Sequence, residues 1–164
     1  GYYSRARNLH RAARMIVGEL SGKFPDTADG LQLLPGIGRY TAGAIASFAF
    51  NQPAPILEAN TIRLFARLLD LQLPAKSAAG QKILWAFAAK VVSPDQPASF
   101  NQAAMDIGAT ICTPRSPQCA ICPLSRFCRA FHNETQDFIP LEAPRAAITA
   151  VTEVSIAIRK ISVG

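Results

Sequence analysis

All four cysteines of this chain fall within one short run, Cys112-x6-Cys119-x2-Cys122-x5-Cys128. Thiolates this close in sequence surround one metal centre with little further ordering of the chain, and the loop that carries them must wrap rather than extend. The competing arrangement is a pair of disulfides, which belongs to oxidising compartments. The rest of the chain reads as helical, and its first fourteen residues carry Arg5, Arg7, Arg11 and Arg14 with no apolar stretch behind them, so no secretory signal supports disulfides. A metal is therefore the expectation. Zinc and a [4Fe–4S] cluster both accept four cysteines, and spacing does not separate them.

The remaining composition bounds the fold class. Of 164 residues, 49% are hydrophobic and 17% charged, which excludes a disordered chain. Apolar stretches such as 41–50 fall well short of a bilayer span, so no membrane partner is expected. The net charge of +6 is uneven: residues 1–131 hold fourteen Lys and Arg against seven Asp and Glu, and 132–164 hold three against four. A basic first part suits a polyanion, and a solvated basic surface accounts for it equally well. The chain opens on Gly1 and stops inside a strand-like run, so both ends read as cut.

Hydrophobic spacing predicts helices over 4–20, with Leu9, Ala13, Ile16 and Leu20 as its apolar stripe, and over 28–34, 39–50, 58–71, 78–92 and 98–111. Breaks at Ser21-Gly22, Leu34-Pro35-Gly36-Ile37-Gly38 and Asn51-Gln52-Pro53-Ala54-Pro55 separate the first four. Residues 132–150, with Pro140 and Pro144, read as a linker. Val154, Ile156 and Ile158 alternate with Glu153, Ser155 and Ala157, which predicts a strand.

Two glycines two apart, Gly36 and Gly38, permit backbone turns and close approaches that a Cβ obstructs, and they feed a helix N-terminus suited to an anion. With the preceding Leu34-Pro35 and the following Arg39-Tyr40-Thr41-Ala42, this segment resembles the helix-hairpin-helix of the DNA glycosylases. The cysteine run, just after Phe100-Asn101-Gln102-Ala103-Ala104-Met105-Asp106-Ile107-Gly108-Ala109, resembles the cluster motif of the endonuclease III and adenine glycosylase families. Gly1-Tyr2-Tyr3-Ser4-Arg5-Ala6-Arg7-Asn8-Leu9 is similar to an adenine glycosylase segment. The resemblance covers residues 1–131. It implies an all-α helix-hairpin-helix glycosylase fold: part of a six-helix barrel over 1–55, a cluster lobe over 56–131, and the start of a truncated, Nudix-like β-containing domain over 151–164. It implies a [4Fe–4S] cluster on Cys112, Cys119, Cys122 and Cys128. It further implies a monomer acting on double-stranded DNA with a mismatched or oxidised base pair, in the bacterial cytoplasm or a eukaryotic nucleus or mitochondrion.

Individual roles follow from the same resemblance. Tyr40 stands where endonuclease III-type relatives carry a nucleophilic lysine, and tyrosine forms no Schiff base, which implies a monofunctional enzyme. Tyr2 matches a tyrosine wedged into the base stack, whereas Tyr3 suits a buried core position. Arg5, Gly36, Gly38, Arg39 and Arg115 are the implied DNA contacts. Glu58-Ala59-Asn60 occupies the place of the family's Asp-Gly-Asn motif, where a carboxylate stabilises an oxocarbenium-like sugar or attacks it. Glu58 adds a methylene to that carboxylate, and a helix-capping role accounts for it as well. Asn60 is expected to orient it. The family's glutamate that protonates the leaving adenine lies upstream of Gly1, so this stretch alone is expected to bind DNA weakly and to excise nothing. The implied activity is removal of adenine opposite 8-oxoguanine or guanine. A thymine or uracil mismatch glycosylase and a non-catalytic iron–sulfur DNA-binding module are the alternatives.

Overall fold

The computed structural model describes residues 2–142; the expected strand and the domain over 151–164 lie outside the described residues, as does the end of the expected linker. The described residues are helical and contain no strand. Seven α-helices follow in order: α1 (Tyr3–Gly18), α2 (Ala28–Gln32), α3 (Arg39–Phe50), α4 (Ala59–Leu69), α5 (Ala78–Val91), α6 (Pro97–Thr110) and α7 (Arg129–His132). Short 3-10 turns at Cys119–Ile121 and Ser125–Phe127 carry the cysteine loop between α6 and α7.

Local chemistry sets the helix ends. Thr27 and Ser77 cap α2 and α5 by accepting the backbone N–H of Gly30 and Gly80, and Pro97 opens α6, where its missing N–H costs nothing. Asn51 and Asp70 end α3 and α4 in the left-handed conformation, which short polar side chains tolerate.

Burial divides into two clusters. The first joins Ala12 and Ile16 of α1, Leu31 of α2, Leu34, Ala42 and Ala46 of α3, and Ala54. Small side chains on the inner face of α3 let its neighbours approach closely. The second cluster centres on Leu64, Phe65 and Ala66 of α4 and reaches Leu84 and Ala88 of α5, Ala104 of α6, Cys112 and Ile139. Helix α4 packs on α5, α6 and α7, so the motif at its start and the cysteine loop near its end share one rigid element.

The buried stripe of α1 is Ala12 and Ile16, with Met15 and Leu20 packed against it, rather than the expected Leu9–Ala13–Ile16–Leu20. Leu9 is 74% exposed. Tyr3, expected in a core, is also 74% exposed, because α1 turns its alanine face inward and leaves its aromatic start outside. Residues 132–142, read as the start of a linker, pack on the second cluster. Ile139 is buried, its carbonyl accepts from Arg67 Nε at 2.9 Å, and the Ala75 N–H donates to the Leu141 carbonyl at 3.3 Å. Proline spacing signals irregular backbone, and irregular backbone can still anchor to a core, here through Ile139.

Candidate functional site

The hairpin turn depends on Gly36. Its φ of +82° lies in the left-handed region, and a Cβ there would stand 2.7 Å from Cβ of Asn8 on α1. Gly38 is different. It precedes α3 with an extended backbone, and nothing lies within 4 Å of where its Cβ would be. The fold of the described residues places no demand for glycine there, so the open face before α3, whose first N–H groups have no side-chain cap, is free for something outside the chain.

Arg39, the first residue of α3, lays its guanidinium on the ring of Trp85 in α5, 3.9 Å from the ring centroid. This stacking joins the hairpin to the other buried cluster. Tyr40 is 38% exposed beside it. Tyr2 precedes α1 and is exposed, with the Arg5 guanidinium 5.3 Å from its ring centroid. Arg115 is exposed on the loop between the first two cysteines.

Glu58 caps α4. Its Oε1 accepts the backbone N–H groups of Asn60 and Thr61, both at 2.9 Å, and Thr61 Oγ1 accepts the Glu58 N–H at 2.9 Å in return. The second carboxylate oxygen, Oε2, takes no hydrogen bond from the described residues, and the side chain is half-buried. Asn60 does not bond the carboxylate through its own side chain. Its Oδ1 instead accepts from Arg63 Nη2 at 3.0 Å.

Arg63 and Arg67, one turn apart on α4, are buried and were not singled out in the sequence. Arg63 donates Nε to the Cys112 carbonyl at 2.6 Å and Nη2 to the Gly108 carbonyl. That approach needs Gly108, where a Cβ would come within 2.8 Å of Asn60. Burial lowers the Arg63 pKa; the Cys112 charge opposes this, Arg67 adds to it and Glu58 opposes it. Arg67 donates Nη1 to Cys112 Sγ at 3.3 Å and to the Thr113 carbonyl at 2.8 Å, and Nη2 to the Pro114 carbonyl at 3.4 Å. The signal available in the sequence was arginine at i and i+4 on the apolar face of a strongly amphipathic helix. Such a cation must find acceptors inside.

Cys112, Cys119, Cys122 and Cys128 are unpaired thiols that line one cavity with apolar walls. Burial pushes Cys119 and Cys128 upward, the neighbouring thiols add to it, and for Cys128 backbone donors at Phe131 and Ala130 oppose it. A cavity that disfavours thiolates in isolation suits a cationic group that holds them deprotonated. Four free cysteine thiols around one cavity are the donor set an iron–sulfur cluster takes, and they fit that group.

The comparisons with known proteins meet this geometry at both motifs. Residues 19–48 match the helix-hairpin-helix motif, and residues 112–128 match the iron–sulfur binding domain of endonuclease III. The chain is 48% identical to mouse adenine DNA glycosylase over 80% of its own length. It is a homologue of the adenine DNA glycosylases. The chain spans 26% of the length of that relative. In three dimensions this glycosylase homologue superposes on a thermostable thymine-DNA glycosylase with a TM-score of 0.70 at 31% identity, covering 79% of this chain and 59% of the other. It superposes on endonuclease III from a non-covalent DNA complex with a TM-score of 0.66 at 27% identity, covering 82% and 61%. The fold is that of the helix-hairpin-helix glycosylases.

Proposed function

We propose that the protein containing this chain is a monofunctional DNA glycosylase of base-excision repair that removes adenine paired with 8-oxoguanine or guanine. The observation that carries the reading is the state of Glu58. One oxygen is locked by two backbone N–H groups, which fixes the carboxylate, and the other is left without a partner at the start of a rigid helix. A carboxylate so placed stabilises positive charge developing on a deoxyribose as the base departs. Tyr40 supplies no amine, so water takes the place of the departing base on the sugar, and the strand is left intact with an abasic site.

The chain's other residues bind and orient. The α3 N-terminus with Gly36 and Gly38 takes a DNA phosphate, Arg115 and Arg5 add charge along the backbone, and Tyr2 fills the gap left by the extruded base. Endonuclease III is the DNA-bound neighbour whose likeness supports this placement. Asn60 acts through Arg63, tying the carboxylate motif to the first cysteine's backbone. Cys112, Cys119, Cys122 and Cys128 hold a [4Fe–4S] cluster, which when bound cross-links the loop that carries Arg115. The protein acts as a monomer.

A second reading follows from the capping box itself. The reciprocal Glu58–Thr61 bonds account for the glutamate without any chemistry, as a non-catalytic DNA-binding module requires. Single-turnover excision by the complete protein separates the two, on duplexes carrying A, T or U opposite G or 8-oxoguanine. The expected result is removal of A alone, slowed by Glu58→Gln by roughly 10²-fold or more, with a stability loss of about 1 kcal/mol from the weakened cap. Tight binding without excision by the parent, with activity appearing only in Glu58→Asp, establishes the module instead. Excision of T or U establishes a mismatch glycosylase of the same fold.

A further inference from the structure

The cavity lined by the four cysteines also receives Gln136, from the segment that follows α7. Its Oε1 is the one buried side-chain nitrogen or oxygen among the described residues that has no hydrogen-bond partner. The chain around it is not slack. Thr135 Oγ1 donates to Asp70 Oδ1 at 2.6 Å, Asn133 Nδ2 donates to Asp70 Oδ2 at 2.8 Å, and the Ile139 carbonyl accepts from Arg67 Nε at 2.9 Å. Both sides of Gln136 are therefore pinned to α4 or its C-terminal cap, which fixes the backbone from which its side chain enters the cavity.

A buried amide oxygen without a partner is costly in a native fold and calls for one. Half a turn about the last side-chain bond exchanges Oε1 and Nε2, and the inward atom becomes a donor. Four sulfurs line the cavity, with the side chains of Gln118 and Ser125 as the other possible acceptors; the rest of its wall is apolar, as at Leu64, Leu68 and Phe131, or carries the cation of Arg67. Arg67 Nη1 already donates to Cys112 Sγ.

We propose that Gln136 is a positioning residue for the bound iron–sulfur group. Its carboxamide N–H donates to a thiolate or sulfide sulfur, and Arg67 supplies a second donor from α4. The inference rests on the iron–sulfur reading above. Donors to cluster sulfurs stabilise the more negative, reduced state, so Gln136 raises the reduction potential and slows oxidative loss of the group.

The test uses the complete protein, first assayed for iron and acid-labile sulfide, and then compares DNA-bound parent, Gln136→Leu and Gln136→Glu by voltammetry. Bleaching of the visible iron–sulfur absorbance under oxidant is followed in parallel. Gln136→Leu is expected to shift the potential downward and to bleach faster, and Gln136→Glu, an acceptor only, to do both further. Gln136→Asn keeps the amide but withdraws it by one methylene; it gives a smaller downward shift and serves where the leucine variant does not fold. Variants that carry the parent's iron and sulfide and keep its potential and bleaching rate overturn the role of Gln136 alone. A parent that carries zinc and no sulfide overturns it together with the iron–sulfur reading.

Discussion

Residues 12–54 bury a core of small and aliphatic side chains, Ala12, Ile16, Leu31, Leu34, Ala42, Ala46 and Ala54, and the side-chain hydrogen bonds within that stretch span at most one helical turn. Residues 57–139 bury an aliphatic and aromatic core threaded by Arg63 and Arg67, whose bonds reach carbonyls 45 to 72 residues away. The first region is shaped by close packing: Leu31 of α2 shares a core with the small residues Ala42 and Ala46 of α3, and the hairpin turn sits on Asn8. The second is shaped by satisfied charge. A buried guanidinium holds many carbonyls in register, but removing it orphans all of them at once. A hairpin that must meet a ligand through its backbone is well served by the first strategy, and a loop that must keep four thiols gathered is well served by the second.

Arg67→Met tests that contrast most severely. It retains much of the aliphatic volume and leaves the carbonyls of Thr113 and Ile139 without their donor. The expected loss is about 3 kcal/mol or more, from several charge-assisted bonds. Hydrogen exchange should show it in α4, the cysteine loop and α7, while α3 keeps its protection. Equal loss in α3 would mean that the two regions unfold as one unit, and the contrast would be broken.

Arg39→Gln addresses the junction instead. The Arg39–Trp85 stacking is worth about 0.5–1 kcal/mol at an exposed site, so a small drop in stability is expected. Trp85 is the chain's single tryptophan, so its fluorescence reports the change directly. If Arg39 remains on Trp85 when DNA binds, the salt dependence of affinity is unchanged by the substitution. A slope reduced by about one phosphate shows that Arg39 leaves the ring for the backbone.

The smallest effect is expected at Asp70, which holds the end of α4 to the segment after the cysteines. Hydrogen bonds from Thr135, then Asn133, hold its carboxyl below the ordinary carboxylate value. A depressed folded pKa contributes stability that is present above the unfolded value of about 3.9 and is lost as pH falls through the folded one. Parent stability should therefore fall below about pH 4. Asp70→Asn should lie below the parent at neutral pH and show a shallower acid slope in melts across that window. Parallel slopes would show that Asp70 contributes nothing to the acid limb.

The order of helices, the hairpin and the cysteine cavity were legible because each leaves a local mark. Helix 39–50 matches the observed α3 (Arg39–Phe50), since Gly38 and Asn51 bracket an alanine-rich stretch without proline. In the stripe of α1, Ile16 and Leu20 face the core as expected, while Ala12 takes the place of Ala13 and Leu9 stays outside, because the width of the gap to be filled belongs to the partner, not to the helix. The packing of 132–142 was invisible because an irregular segment anchored through one buried residue, Ile139, has no periodicity to read.

The sequence by itself determined which chemistry is present: four thiols within one loop, a glycine turn before a helix, a carboxylate at the next helix start, and no lysine at position 40. Those are short-range facts of covalent order and spacing. Only the tertiary structure decided how they are connected. It sets Arg39 on Trp85, runs Asn60 through Arg63 to the backbone of Cys112, and lowers Gln136 into the cysteine cavity. Apart from the one-turn step from Asn60 to Arg63, those contacts join residues far apart in the chain, and their distances are set by how the helices pack. No local pattern of residues encodes them.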